Sequence, residues 1–100
     1  MKLKEIAYAR SGDKGSNANI GVIAYTLEDY KFLDLYLTAE RVQHYFAPLA
    51  PLNTIRYALP NLWAFNFVLK GVLNGGANHS LRIDSQGKAL GQALLFMDIY

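Results

Sequence analysis

The 100-residue sequence has no cysteine, two histidines and three prolines. Without thiols there is no disulfide framework, no thiolate nucleophile and no thiolate metal site, which suits a cytoplasmic chain. Two distant histidines without an Asp/Glu cluster make no metal-ligand pattern, so neither a metal nor another cofactor is expected. Concentrated charge is lacking as well: ten basic and eight acidic residues are scattered singly, for a net charge of +2. A nucleic-acid footprint needs gathered basic residues, so no nucleic-acid partner is expected. No apolar run nears the ~20 residues of a membrane span, and Met1-Lys2-Leu3-Lys4-Glu5 has no signal core behind it. Repeats and low-complexity segments are absent too, which leaves one domain over residues 1–100, expected to begin and end in structure without a binding tail.

Apolar mass, by contrast, is abundant. Hydrophobic residues make up 52%, swelled by seven Tyr, five Phe and one Trp. A chain of this length buries only somewhat over ~60% of its unfolded surface. Some of that apolar mass should therefore be exposed, and exposed patches usually meet another chain. A homo-oligomer, or docking on a larger partner, is the expected state.

Hydrophobic periodicity gives the elements. Leu3 to Ala9 reads as a first strand and Asn19 to Tyr25 as a second, apolar on both faces as a central strand is. Thr26 can cap a helix carrying Tyr30, Leu33, Tyr36 and Leu37, and Thr38 a second with Val42, Tyr45, Phe46 and Leu49, stopped by Pro48 and Pro51. Leu52 to Leu59 alternates, with Ile55, Tyr57 and Leu59 opposite Thr54, Arg56 and Ala58. Pro60 fits the start of a helix to about Asn74, closed by Gly75-Gly76. Ser80 to Asp84 reads as a fourth strand. Ser85 can cap a last helix facing the core with Ala89, Leu90, Ala93, Leu94 and Met97, and Met97 to Tyr100 can close an edge. The order β-β-α-α-β-α-β-α predicts a two-layer α+β sandwich, with helices packed on one face of a sheet of about four strands.

Between the first two strands lie ten residues, Arg10-Ser11-Gly12-Asp13-Lys14-Gly15-Ser16-Asn17-Ala18-Asn19, without a large apolar side chain. A hairpin turn needs only about two to five residues, so the segment reads as a long polar loop. Gly12 and Gly15 allow backbone N–H groups to approach a ligand, and Arg10 and Lys14 add charge; an anionic small molecule such as a CoA phosphate or a carboxylate would suit them. The spacing is neither that of a P-loop nor that of a dinucleotide fingerprint. The competing reading is structural, with Asp13 and Asn17 bonding their own backbone and the glycines supplying positive φ. Further ligand candidates are Arg82, beyond the hinge Asn74–Ser80, and Asn66, whose amide inside an apolar segment needs a partner. His44 falls on the solvated side of its helix. His79 could meet Ser11 or Ser16 in a Ser-His-Asp arrangement, which only geometry decides.

The same residues resemble a family. Ala9-Arg10-Ser11-Gly12-Asp13-Lys14-Gly15 followed by Asn19-Ile20-Gly21-Val22-Ile23-Ala24 is similar to the opening of the AtuA-like domain, named for acyclic terpene utilisation protein A. Leu37-Thr38-Ala39-Glu40-Arg41-Val42, Asn66-Phe67-Val68-Leu69, Gly75-Gly76 and Ser80-Leu81-Arg82-Ile83-Asp84 continue the likeness over essentially the whole chain. Tyr25 departs from it, standing where arginine is common. The resemblance implies a ferredoxin-like fold, found as the C-terminal part of larger AtuA proteins and as a free-standing chain. It assigns no catalytic residues. The expectation that follows is a small accessory subunit rather than a self-sufficient enzyme. It would pair with itself or with a larger AtuA-type protein in the catabolism of acyclic terpenes or related branched acyl-CoA compounds. The alternative is binding or catalysis of an anionic small molecule at Ser11–Asn19.

Overall fold

A computed structural model describes residues 1–72 and 88–100. Four antiparallel strands form one sheet in the order β1-β2-β4-β3: β1 Ala7–Lys14, β2 Asn17–Ala24, β3 Asn53–Leu59 and β4 Ala64–Lys70. Helices α1 Leu27–Tyr36, α2 Ala39–Tyr45 and α3 Lys88–Leu94 pack on one side of it. This is the α+β layering expected from the sequence, though several of its parts are not the expected ones.

The segment read as a helix from Pro60 is the central strand β4. Pro60 opens only a 3-10 turn to Leu62, Trp63 takes the left-handed conformation with φ 53°, and the chain enters β4 at Ala64. Phe65, Phe67 and Leu69 are buried at period two. A short apolar run satisfies both periods, and only pairing with β2 and β3 decides between them. The chain also begins differently: Leu3–Glu5 is a 3-10 turn, and β1 starts at Ala7. Met97 to Tyr100 forms no strand; an isolated bridge joins Asp98 to Lys2. The fourth strand read at Ser80–Asp84, the Asn74–Ser80 hinge and the Ser85 cap lie outside the described residues.

The helix starts are where the sequence puts them. The Thr26 Oγ1 accepts the Asp29 N–H at 3.0 Å, and the Thr38 Oγ1 accepts that of Arg41 at 3.1 Å. Between the helices and the sheet lies a core of Leu3, Ile20, Val22, Leu33, Leu37, Val42, Phe65, Phe67, Leu69, Leu94 and Ile99. In α3 only Leu90 and Leu94 join it, with Met97 beyond; Ala89 and Ala93 are exposed. Two arginines fasten the periphery. Arg56 on β3 reaches the carbonyls of Asp34 and Leu37 at 3.2 and 3.1 Å and the Asp34 carboxylate at 3.0 Å, while lying over the Phe65 ring.

Arg41 is the second clasp. Its guanidinium donates to the carbonyls of Tyr36, Ile99 and Asp98 at 2.9, 3.0 and 2.9 Å, tying α2 to the end of α1 and to the C-terminal segment. Replacing it by methionine keeps the stem and removes all three bonds. Arg41→Met is expected to cost about 2 kcal/mol, between the loss of one charged hydrogen bond and of several that are partly solvated. Urea unfolding checks this; a change under ~0.5 kcal/mol would show that water replaces the clasp.

Candidate functional site

The ten polar residues are not a loop. β1 and β2 run on to Lys14 and Asn17, paired with each other, so that only Gly15-Ser16 turns the chain. Gly15 has φ 64°, the positive value that a two-residue turn with glycine at its first central position requires. Ser-Gly-Asp-Lys and Asn-Ala-Asn are poor strand formers, and it is the ladder, with β4 on the far side of β2, that holds them extended.

Becoming a hairpin divides the candidates between two faces. Ser11 and Asp13 occupy positions on the helix side of the sheet. The Ser11 Oγ accepts the N–H of Gly91 in α3 at 2.9 Å, a structural task that leaves a nucleophilic role without support. Asn17 is structural as well: its Oδ1 accepts the Gly71 N–H at 3.0 Å. Gly15 and Ser16 form the turn. Arg10, Gly12 and Lys14 stand at positions of the opposite, open face, together with Asn19 on β2 and Asn66 on β4. Asn66 is thus on a strand, not in a helix, and meets its neighbours across the ladder. Arg82 and His79 lie outside the described residues. His44 is exposed, as expected.

The open face is built in rows across the strands. One row runs Tyr8–Ile23–Ala64–Leu59, the next Arg10–Gly21–Asn66–Tyr57, and the third Gly12–Asn19–Val68–Ile55. Tyr8, Tyr57 and Leu59 are 44%, 51% and 40% exposed, and the Tyr8 ring lies 5.7 Å from that of exposed Tyr25. Leu62 and Trp63, in the β3–β4 connection, are exposed at the same end of the sheet, where the Trp63 carbonyl accepts the Ala24 N–H. The paired positions of this face hold Arg10, Lys14 and Lys70 and no acidic residue. Arg10, Asn19 and Asn66 make no side-chain hydrogen bond or ion pair among the described residues. A cleft of about 390 Å³ at the hairpin end is lined by Asp13, Asn17, Ala18, Asn19, Asn66 and Val68.

A family model described as the AtuA ferredoxin-like domain matches residues 1–100. The chain belongs to that family. A search of the curated proteins and a search of the solved structures give no match. Among the described residues of this AtuA ferredoxin-like domain the helices cover one side of the sheet and leave the other side and the hairpin open. A larger cleft of about 470 Å³ lies on the helix side, between α2 and the C-terminal segment, but Arg41 and Tyr45 in its wall are already bonded to backbone carbonyls. Among the described residues no group of three His, Asp or Glu could hold a metal ion, and no helix is long and apolar enough to cross a membrane.

Sequence reasoning missed Tyr8, Tyr57 and Gly21 as parts of this face. Two signals pointed to it. A glycine inside a strand marks a place where something approaches the backbone closely, and Ile55-Tyr57-Leu59 alternates against Thr54-Arg56-Ala58 with the larger apolar residues turned away from the helices.

Proposed function

We propose that this domain acts as a small accessory subunit whose open sheet face is covered by a larger AtuA-type polypeptide. The observation that carries the reading is the exposure of Tyr8 and Leu59 at the two ends of the row that also holds Ile23 and Ala64, with exposed Tyr57, Leu62 and Trp63 beside it. Left in water, that row would be a large apolar patch for so small a chain. A second copy suits the face less well than an unlike partner, because two such faces would oppose the basic positions of Arg10, Lys14 and Lys70 without a carboxylate between them. The setting of the assembly in this reading is cytoplasmic catabolism of acyclic terpenes or related branched acyl-CoA compounds, which rests on the family likeness.

Co-expression with a large AtuA-type protein, followed by mass determination by light scattering, tests the proposal. A joint complex is expected, and Leu59→Glu, which sets a charge at the β3 end of the row, is expected to weaken it at least about tenfold through the desolvation of that carboxylate. A chain that stays monomeric beside the large protein, or that pairs only with itself, would overturn the proposal.

A further inference from the structure

The open face contains a trough whose floor is bare backbone. Arg10 and Asn66 both pair with Gly21, from opposite sides. Their Cα atoms are therefore two strand spacings apart, about 10 Å, with no side chain between them. A Cβ built on Gly21 would meet nothing nearer than the Arg10 carbonyl oxygen at 3.8 Å, so the space above it is open. The neighbouring row continues the gap, since Gly12 stands opposite Asn19, whose Oδ1 lies 3.6 Å from where a Gly12 Cβ would be. Three polar side chains without partners among the described residues thus surround two glycines on adjacent strands. On the other side, one row away at roughly 7 Å, lie the apolar side chains of Tyr8, Ile23 and Leu59.

We infer that this trough is a binding site for a small amphiphilic carboxylate, its carboxylate held by Arg10 and the amides of Asn19 and Asn66 and its hydrocarbon part on the Tyr8–Ile23–Leu59 row. A guanidinium presents paired N–H groups that match the two oxygens of a carboxylate, and an Asn amide adds a further donor. The apolar row gives the tail a dry surface and sets the order of preference: a carboxylate with a chain of several carbons above acetate, and above the alcohol of equal length. This site stands on its own observations and needs no partner chain, although a partner docked on the apolar row would roof it.

The test is a titration of the isotope-labelled full chain, alone, with sodium octanoate, followed by amide chemical shifts. Saturable shifts are expected at Arg10, Gly12, Gly21 and Asn66, with smaller effects from sodium acetate, octan-1-ol and inorganic phosphate at the same concentrations. Arg10→Gln is expected to weaken octanoate at least about tenfold, the loss of a charge-assisted pair. Gly21→Val is the sharper variant. A β-branched residue suits a central strand better than glycine, so the fold should melt no lower than the parent, while the isopropyl group fills the trough and abolishes binding. Silence at those amides, equal binding of octan-1-ol, stronger binding of phosphate, or a folded Gly21→Val chain that binds octanoate as the parent does would each overturn the inference. The subunit reading would survive any of these results, since its test reads a complex mass.

Discussion

Phe65→Ala is expected to lower the unfolding free energy by about 3–5 kcal/mol, the range for truncating a buried phenylalanine. The side chain is fully buried in β4, the second strand from the β3 edge. Its ring stacks on that of Tyr30 from α1, centroids 4.8 Å apart and planes 13° from parallel, and carries the Arg56 guanidinium at 4.8 Å. The substitution therefore leaves a cavity, removes an aromatic pair and unseats the arginine that ties β3 to α1. A domain of this size has ~5–15 kcal/mol in all, so the variant should keep at most a marginal fold at 25 °C and melt some 15–30 °C lower. Urea unfolding followed by circular dichroism measures it. A loss below ~1 kcal/mol would mean that the helix layer collapses onto the gap and that Phe65 is not central to the core.

Gly91→Val should be nearly as damaging, for the opposite reason. Gly91 is buried where α3 crosses β1, and a Cβ there would stand 2.9 Å from the Ser11 Oγ, 3.2 Å from the Ser11 Cβ and 3.4 Å from the Arg10 carbonyl carbon. The hydroxyl can rotate away only by giving up its bond to the Gly91 N–H, and the backbone can yield only by moving α3 off the sheet. Overpacking of this kind costs about 1–3 kcal/mol, and the upper end is expected for valine. Gly91→Ala should lose less, because alanine is favoured over glycine in a helix by up to ~1 kcal/mol. Thermal melting of the two variants side by side checks both the sign and the order. A valine variant as stable as the parent would show that α3 is not held against β1.

The close approach at Gly91 also explains why the first strand could not be oriented from its sequence. Ile6 and Tyr8 alternate with Glu5 and Ala7, which points the large apolar residues inward by the usual rule. In the fold Ala7 and Ala9 are buried, Ser11 lies beneath α3, and Tyr8 is turned to the open face. Small residues are needed where a helix backbone lies directly on a strand, and that requirement comes from α3, some eighty residues away in sequence. The site was legible in the same partial way. Arg10, Gly12, Asn19 and Asn66 were visible as residues able to hold an anion, yet the division that sends Ser11 to the helix layer and Arg10 to the open face is a matter of strand parity, invisible while the segment read as a loop.

By itself the sequence determined what depends on near neighbours or on composition. Thr26 and Thr38 cap their helices because a hydroxyl needs only an N–H three residues on. The apolar run Ile20-Gly21-Val22-Ile23-Ala24 marks β2 as a central strand, and the apolar surplus does emerge as exposed Tyr8, Tyr57 and Leu59. The family likeness, spread over the whole chain, was equally plain. Only the tertiary structure decided whether residues 64–70 are helix or strand, how far the Arg10–Asn19 hairpin stays extended, and which face of each strand meets water. Those choices turn on hydrogen bonds and burial supplied by strands and helices distant in sequence, and a ladder partner on either side outweighs the weak local preferences of Ser-Gly-Asp-Lys or Phe-Asn-Phe-Val. The polar segment that composition marks as a loop is, in the fold, one end of a sheet face on which Arg10 pairs with the bare backbone of Gly21.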